Sequence, residues 1–275
     1  MQDSKSLQGH TAIVTGASSG IGRATAELLA QAGAHVYLAG RTTAALEELN
    51  SYIVKEGGQS SVVTIDLRDT NQIGELIAKV VSETGRLDIM VNNAGLEFPA
   101  SIIDGDVEEW RSMLETNILA LLVGCQAAVK AMRACAADGH VINVSSVSAQ
   151  RSNSGVYGAT KHAVNTISAS LRDELEGDTI RVTNIMPGAT STNFARNFPE
   201  AFVDRIIEMS GMDVTFERGQ HLPPETLEAL SDNLKQMLCS PADIARAILF
   251  VVTQPINVNI ADIVVRPPRA MTLPH

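Results

Sequence analysis

His10-Thr11-Ala12-Ile13-Val14-Thr15, followed by Gly16-Ala17-Ser18-Ser19-Gly20-Ile21-Gly22, decides the fold. The first six residues form a short β-branched, apolar run and read as a strand. An amphipathic helix over 21–32 follows, stopped near Gly33. Three glycines between a strand and a helix serve a tight turn, a close approach of backbone to a pyrophosphate, and packing of the helix on the sheet. The start of the helix adds free N–H groups and a partial positive charge. The alternative is a glycine-rich turn that holds nothing.

Outward from this stretch the same rhythm repeats. Strands are expected at 35–39, 61–65 and 87–91, with helices at 43–56 and 70–84. A long helical stretch over 107–134 carries Asn117; a strand at 140–145, a helix at 156–176 and a strand at 179–185 follow. The strands are continuous apolar runs, as expected of parallel strands covered on both faces. Strand–helix alternation of this period implies right-handed crossovers and an α/β, doubly wound, Rossmann-type sheet in a single domain. From 192 to 239 no strand is apparent, and Glu225 opens a patch of amphipathic helix. Regularity returns at Ser240-Pro241-Ala242-Asp243, a helix start with a capping serine, followed by a last strand at 260–265 and a proline-rich, extended tail.

The chain has 275 residues and a formal net charge of −10, which argues against nucleic acid or an anionic membrane as the main partner. Cys125, Cys135 and Cys239 show neither disulfide nor metal-ligand spacing, so no metal is expected. The polar N-terminus lacks a signal-like apolar core, and no apolar run is expected to span a membrane. A cytoplasmic setting fits these features.

The ends of the strands carry the chemistry. After the second strand come Ala39-Gly40-Arg41-Thr42, with no carboxylate to hold a ribose 2′-hydroxyl. Arg41 suits a 2′-phosphate and favours NADP(H), with NAD(H) left open; the plainer reading is a solvated arginine. Arg23 is expected to face solvent. Asp66-Leu67 follow the third strand, beside the adenine edge, and Asn92-Asn93-Ala94-Gly95 follow the fourth, along the cofactor groove. Tyr157 and Lys161 stand four apart on one helix face, where a cation near a phenol lowers its pKa and makes an acid/base group for a carbonyl/alcohol pair.

Gly16 to Gly22, Asn92-Asn93-Ala94-Gly95, Asn117, Ser145-Ser146, Tyr157-x-x-x-Lys161 and Pro187-Gly188 occur in the order seen in the short-chain dehydrogenase/reductase family, which the chain resembles from about His10 to Gly188. The resemblance implies Tyr157 as general acid/base, Lys161 as ribose contact and modulator of Tyr157, and Asn117 as holder of a water in a proton relay. It also implies a serine that bonds the substrate oxygen, Asn92 beside the adenosine ribose, and Pro187, Gly188, Thr190 and Thr192 around the nicotinamide. Ser146 lies eleven residues before Tyr157, a shorter interval than the family's usual one, so the loop looks shortened and Ser145 competes with Ser146. The tail is closer to the subgroup of hydroxy-acid and aldehyde or ketone reductases.

The family builds its substrate lid at 192–239, where Phe194, Phe198, Phe202, Met209, Met212 and Phe216 either line an apolar pocket or pack the lid onto the sheet. The expected activity is interconversion of a partly apolar ketone or aldehyde with its alcohol. The alternatives are an NAD-dependent alcohol or hydroxysteroid-type dehydrogenase, and a lyase or epimerase that retains bound cofactor. The resemblance further implies a homodimer or homotetramer built on the helices of Asn117 and Tyr157. Small residues at Ala163, Val164, Ile167, Ala169 and Leu171 suit that contact, and equally suit burial on the sheet.

Overall fold

The computed structural model of the protein describes residues 6–269; part of the polar N-terminus and part of the proline-rich tail fall outside them. Seven parallel strands form one sheet in the order β3-β2-β1-β4-β5-β6-β7. They are β1 (Thr11–Thr15), β2 (His35–Gly40), β3 (Gln59–Thr64), β4 (Ile89–Asn92), β5 (Gly139–Val144), β6 (Ile180–Pro187) and β7 (Asp262–Val265). The central strands β1, β4 and β5 are buried at every position. The edge strands are not: β3 carries Ser60 and Ser61, and β7 alternates between exposed and half-buried positions. Only strands covered on both faces need the continuous apolar run, so the expected starts at 61 and 260 missed these edges by two residues each.

Helices lie on both faces. On one, α1 (Gly20–Gln31), α2 (Thr43–Lys55) and, late in the chain, α9 (Pro241–Val252) cover a core of Leu29, Leu46, Ile53 and Ile248. On the other, α3 (Thr70–Thr84), α5 (Ala120–Ala134) and α6 (Gly155–Glu174) cover Ile77, Met90, Met132 and Val164. Local chemistry sets the helix ends. Asp69 accepts from Asn71 N–H to open α3, and Gly85, at φ +77°, closes it. Ser240 and Asp243 form a capping box at the start of α9. The chain runs outward from β1 to β3 and then returns to β4 beside β1. The carboxyl ends of β1 and β4 therefore flank a topological switch point, where α/β sheets bind ligands.

Two expectations need correction. The stretch Val107–Ala134 is, by length and hydropathy, long and apolar enough to cross a membrane. It behaves as a core helix, with Met113, Ala120, Cys125, Ala128 and Met132 buried inside the fold. It is also not one regular helix: α4 (Val107–Leu114) and α5 are joined by a π-helical turn, Glu115–Leu119, that contains Asn117.

The segment 192–239 carries a short 3-10 turn (Asn193–Asn197), α7 (Glu200–Met209) and α8 (Pro224–Asn233). It has its own small core of Val203, Ile207, Phe216, Leu230, Leu234 and Leu238, against which Phe198, Phe202 and Met212 pack. Most of the aromatic and methionine residues expected to line a pocket or pack on the sheet hold this segment to itself. Met209 is exposed.

Candidate active site

The glycine stretch forms a cradle closed by its own backbone. Gly16 and Gly20 adopt φ of +66° and +55°, a region that disfavours side chains. A Cβ at Gly22 would come within 2.3 Å of the Gly16 carbonyl oxygen, and one at Gly16 within 3.0 Å of Ala94 Cα. Thr15 Oγ1 accepts from the N–H groups of Asn93 and Ala94 at 3.0 and 3.1 Å, and Asn93 Nδ2 donates to the Thr15 carbonyl at 2.8 Å. The end of β4 thus fixes the loop after β1. Ser19 is the N-cap residue of α1, yet its side chain makes no capping bond. A shaped turn, a helix start and an uncommitted hydroxyl fit a dinucleotide pyrophosphate. Ile21 packs against the core beneath the turn, and Ser18 Oγ lies beside Gly40, next to Arg41. Arg41 is exposed; Arg23, expected to face solvent, is half-buried and engaged by Glu27 and Glu48. Asp66 is bound by the Arg68 guanidinium through Nε and Nη2, which holds its carboxyl below the usual range, and Leu67 is buried.

Asn92 is a correction. As the last residue of β4 its side chain faces the helix layer, where Nδ2 donates to Asn143 Oδ1 at 2.9 Å and contacts Cys125 Sγ at 3.4 Å. Asn143 in turn donates to Ser168. Strand alternation sends Asn92 into this buried network beneath α5 and α6, away from the groove that Asn93 borders.

The catalytic candidates converge next to the cradle. Tyr157, 8% exposed, and Lys161 stand on α6. Lys161 Nζ lies 5.8 Å from the Tyr157 ring centroid and donates to the Val144 carbonyl at 2.9 Å. The two serines part company. Ser145 Oγ donates to Asn165 Oδ1 at 2.7 Å and to the Lys161 carbonyl at 3.2 Å, under α6. Ser146 caps the turn Val147–Gln150 by accepting from Ser148 N–H, and its hydroxyl lies close enough to the Tyr157 phenol to favour the ionised form. Ser146 is therefore the serine facing the tyrosine.

Asn117 is fully buried. Its Oδ1 accepts from Leu96 N–H at 2.9 Å, and its Nδ2 donates to the Leu96 carbonyl at 2.9 Å and to Thr160 Oγ1 at 3.1 Å. The side chain clips the loop after β4 to α6, with its polar atoms occupied by protein. A Cβ on Gly95 would meet Asn117 Oδ1 at 3.3 Å and Lys161 Nζ at 3.6 Å, so glycine there keeps the two close. Pro187 ends β6, Gly188 packs on Arg266, and Thr190 Oγ1 donates to the Gly188 carbonyl at 3.0 Å. The Thr192 methyl would lie 3.0 Å from a Cβ on Gly20, so this residue roofs the cradle.

The electrostatics depart from the expectation for the Tyr/Lys pair. Burial, and then the charge of Glu97, push the Tyr157 phenol up from its ordinary value; only the Ser146 hydroxyl pulls it down. Burial lowers Lys161 to about 8, against the opposing pull of Glu97. Burial raises Glu97 to about 7, and Lys161 opposes that. The phenol is thus held in its protonated form, the form that donates a proton. Glu97 was not singled out by the sequence. It sits between Leu96 and Phe98, which pack with Met113, Trp110 and Phe194 around Tyr157; the Phe194 and Tyr157 ring centroids are 5.6 Å apart.

Comparison with known proteins places these features. The short chain dehydrogenase family pattern matches residues 10–202. An uncharacterized oxidoreductase of Staphylococcus aureus strain USA300 is 34% identical over 264 residues, covering 95% of this chain and 98% of that one. One from Staphylococcus saprophyticus is 34% identical over 265 residues, with the same coverage. Among solved structures, a metagenomic short-chain oxidoreductase in complex with NADP is 28% identical, with a TM-score of 0.73 and coverage of 95% and 99%. The closed form of serine dehydrogenase complexed with NADP+ is also 28% identical, with a TM-score of 0.77 and coverage of 96% and 99%.

Proposed function

The chain belongs to the short-chain dehydrogenase family as an NAD(P)-dependent oxidoreductase, and we propose that within it the protein reduces a ketone or aldehyde with NADPH, Tyr157 delivering the proton. The observation that carries this reading is the meeting of the Ser146 hydroxyl, the Tyr157 phenol and the Lys161 ammonium beside the glycine cradle. The bound nicotinamide supplies the hydride. The chain's own groups do the rest. Ser146 and Tyr157 hydrogen-bond the substrate oxygen and steady the negative charge that develops there. The Tyr157 hydroxyl gives up its proton to that oxygen. Lys161, charged below a pKa of about 8, favours the phenolate left behind. Asn117 acts as a positioning residue, holding Leu96 and Thr160 in place around the pair. In the direction of alcohol oxidation the same groups run in reverse, with the phenolate as base.

The preference for NADPH rests on Arg41 and on the absence of a carboxylate at the end of β2. It is supported by the NADP found in the two solved relatives. The segment 192–239 acts as a lid over a partly apolar substrate, with Phe194 against Tyr157 as its pocket face. The test is Tyr157→Phe assayed on a carbonyl panel, with NADPH binding measured alongside. Turnover should fall by at least about a hundredfold while NADPH binding stays within about twofold. Near-normal turnover in the variant would remove Tyr157 from the proton step.

A further inference from the structure

Arg196 is half-buried on the 3-10 turn Asn193–Asn197, four residues beyond Thr192, the residue that roofs Gly20. Its Nη1 donates to the Asn193 carbonyl at 3.0 Å, and no carboxylate pairs with it among the described residues. The charge that acts on it, that of Arg41, is of its own sign. Burial and the Arg41 guanidinium both push Arg196 down, and burial and Arg196 push His221 down. Asp66, an acid that senses Arg41, is already bound by Arg68.

The arrangement is built rather than loose. Asn193 Nδ2 donates to the Leu222 carbonyl at 3.1 Å, its Oδ1 accepts from Leu222 N–H at 2.7 Å, and Gly219 N–H donates to the Arg196 carbonyl at 2.7 Å. These bonds hold the turn bearing Arg196 against the loop bearing His221. Cations assembled without a counter-charge, one of them half out of water, are costly unless an anion joins them. Next to a cradle shaped for pyrophosphate, the anion of matching chemistry is a phosphate.

We propose that Arg196 reaches from the lid to a phosphate of the bound dinucleotide opposite Arg41, so that cofactor binding and lid ordering are one event. This rests on the dinucleotide reading above. Both the 2′-phosphate and the pyrophosphate offer anionic oxygens to a guanidinium. The charge of Arg41, felt at Arg196, favours the 2′-phosphate.

The test is titration of the wild-type protein, Arg196→Gln and Arg196→Lys with NADPH and with NADH. Limited proteolysis across 199–223 is run in parallel, with and without each nucleotide. The expected result is NADPH binding weakened by at least about tenfold in Arg196→Gln, NADH binding nearly unchanged, partial rescue in Arg196→Lys, and loss of NADPH-dependent protection of the lid in Arg196→Gln alone. Equal losses for both nucleotides, with loss of protection, also support a phosphate contact and place it on the pyrophosphate. Unchanged NADPH affinity and protection in Arg196→Gln overturn the proposal. Loss of binding in Arg196→Gln together with a lowered cofactor-free melting temperature would mark a folding defect; Arg196→Lys then decides, and wild-type NADPH affinity and lid protection in that variant overturn the proposal. A wild-type protein that binds neither nucleotide would instead sink the dinucleotide reading itself.

Discussion

At the scale of single residues, Glu97 is the group with the clearest measurable signature. Its pKa is raised by burial from 4.5 to about 7. A carboxyl raised in the folded state binds its proton more tightly there than in the unfolded chain. The stability it contributes is fully present below pH 4.5 and is lost as pH rises through about 7. Glu97→Gln should flatten this fall, removing a loss of no more than about 3 kcal/mol across that window. Denaturant melts at pH 4.5 and 7.5 measure it, and parallel curves for variant and wild type would contradict it. Arg41→Ala should weaken NADPH binding at least about tenfold more than NADH binding; equal losses would take Arg41 off the 2′-phosphate.

The placement of Tyr157 and Lys161 was legible because spacing carries it: four residues on a helix put both on one face. Between Ser145 and Ser146 the strand end left the choice open; the fold turns Ser145 to Asn165 and brings Ser146 to Tyr157. Glu97 and Arg196 had no such signal. A lone acid after Gly95-Leu96 and a lone arginine in a loop belong to no periodic pattern, and only packing brings them to Tyr157 and Arg41.

At the scale of elements, the loop after β1 is the most constrained. Gly22→Ala would drive a methyl into the Gly16 carbonyl, 2.3 Å from its Cβ. Backbone rather than a flexible side chain blocks it, so we expect a loss of at least about 1–3 kcal/mol in stability and a larger loss of nucleotide affinity. Unchanged melting and affinity would contradict the cradle. Ser240→Ala removes the capping box of α9 and should cost about 1 kcal/mol, read as a shift of the denaturation midpoint. Both features were readable, since caps and glycine turns are local chemistry. The π-helical turn Glu115–Leu119 was not. Its sequence fits an ordinary helix, and the turn places Asn117 where its amide meets Leu96 and Thr160, contacts made across 21 and 43 positions of chain. The aromatic residues of 192–239 were misplaced for a related reason: composition shows that they are apolar and not which surface they meet, and Phe198, Phe202 and Phe216 meet their own segment.

At the scale of the whole molecule, the sheet order, the two helical layers and the switch point follow from the strand–helix rhythm and the handedness of its crossovers. What rhythm cannot give is the outer surface. Val164 points into the core, and Ile167 and Leu171 pack against it, so the small-residue face expected to serve a dimer is largely spent on the sheet. Leu114 on α4, Leu119 in the π-helical turn and Leu122 on α5 are exposed, an apolar surface of the kind a second copy would cover. Leu119→Glu should lower the mass measured by light scattering relative to the wild-type protein; an unchanged oligomer would move the contact elsewhere. The central claim, a dinucleotide site selective for the 2′-phosphate, is tested most directly by titrating the wild-type protein with NADPH and with NADH and following nucleotide fluorescence. Both should bind, with NADPH tighter by at least about tenfold. Tighter binding of NADH would contradict the role of Arg41, and binding of neither would contradict the reading of the glycine cradle itself.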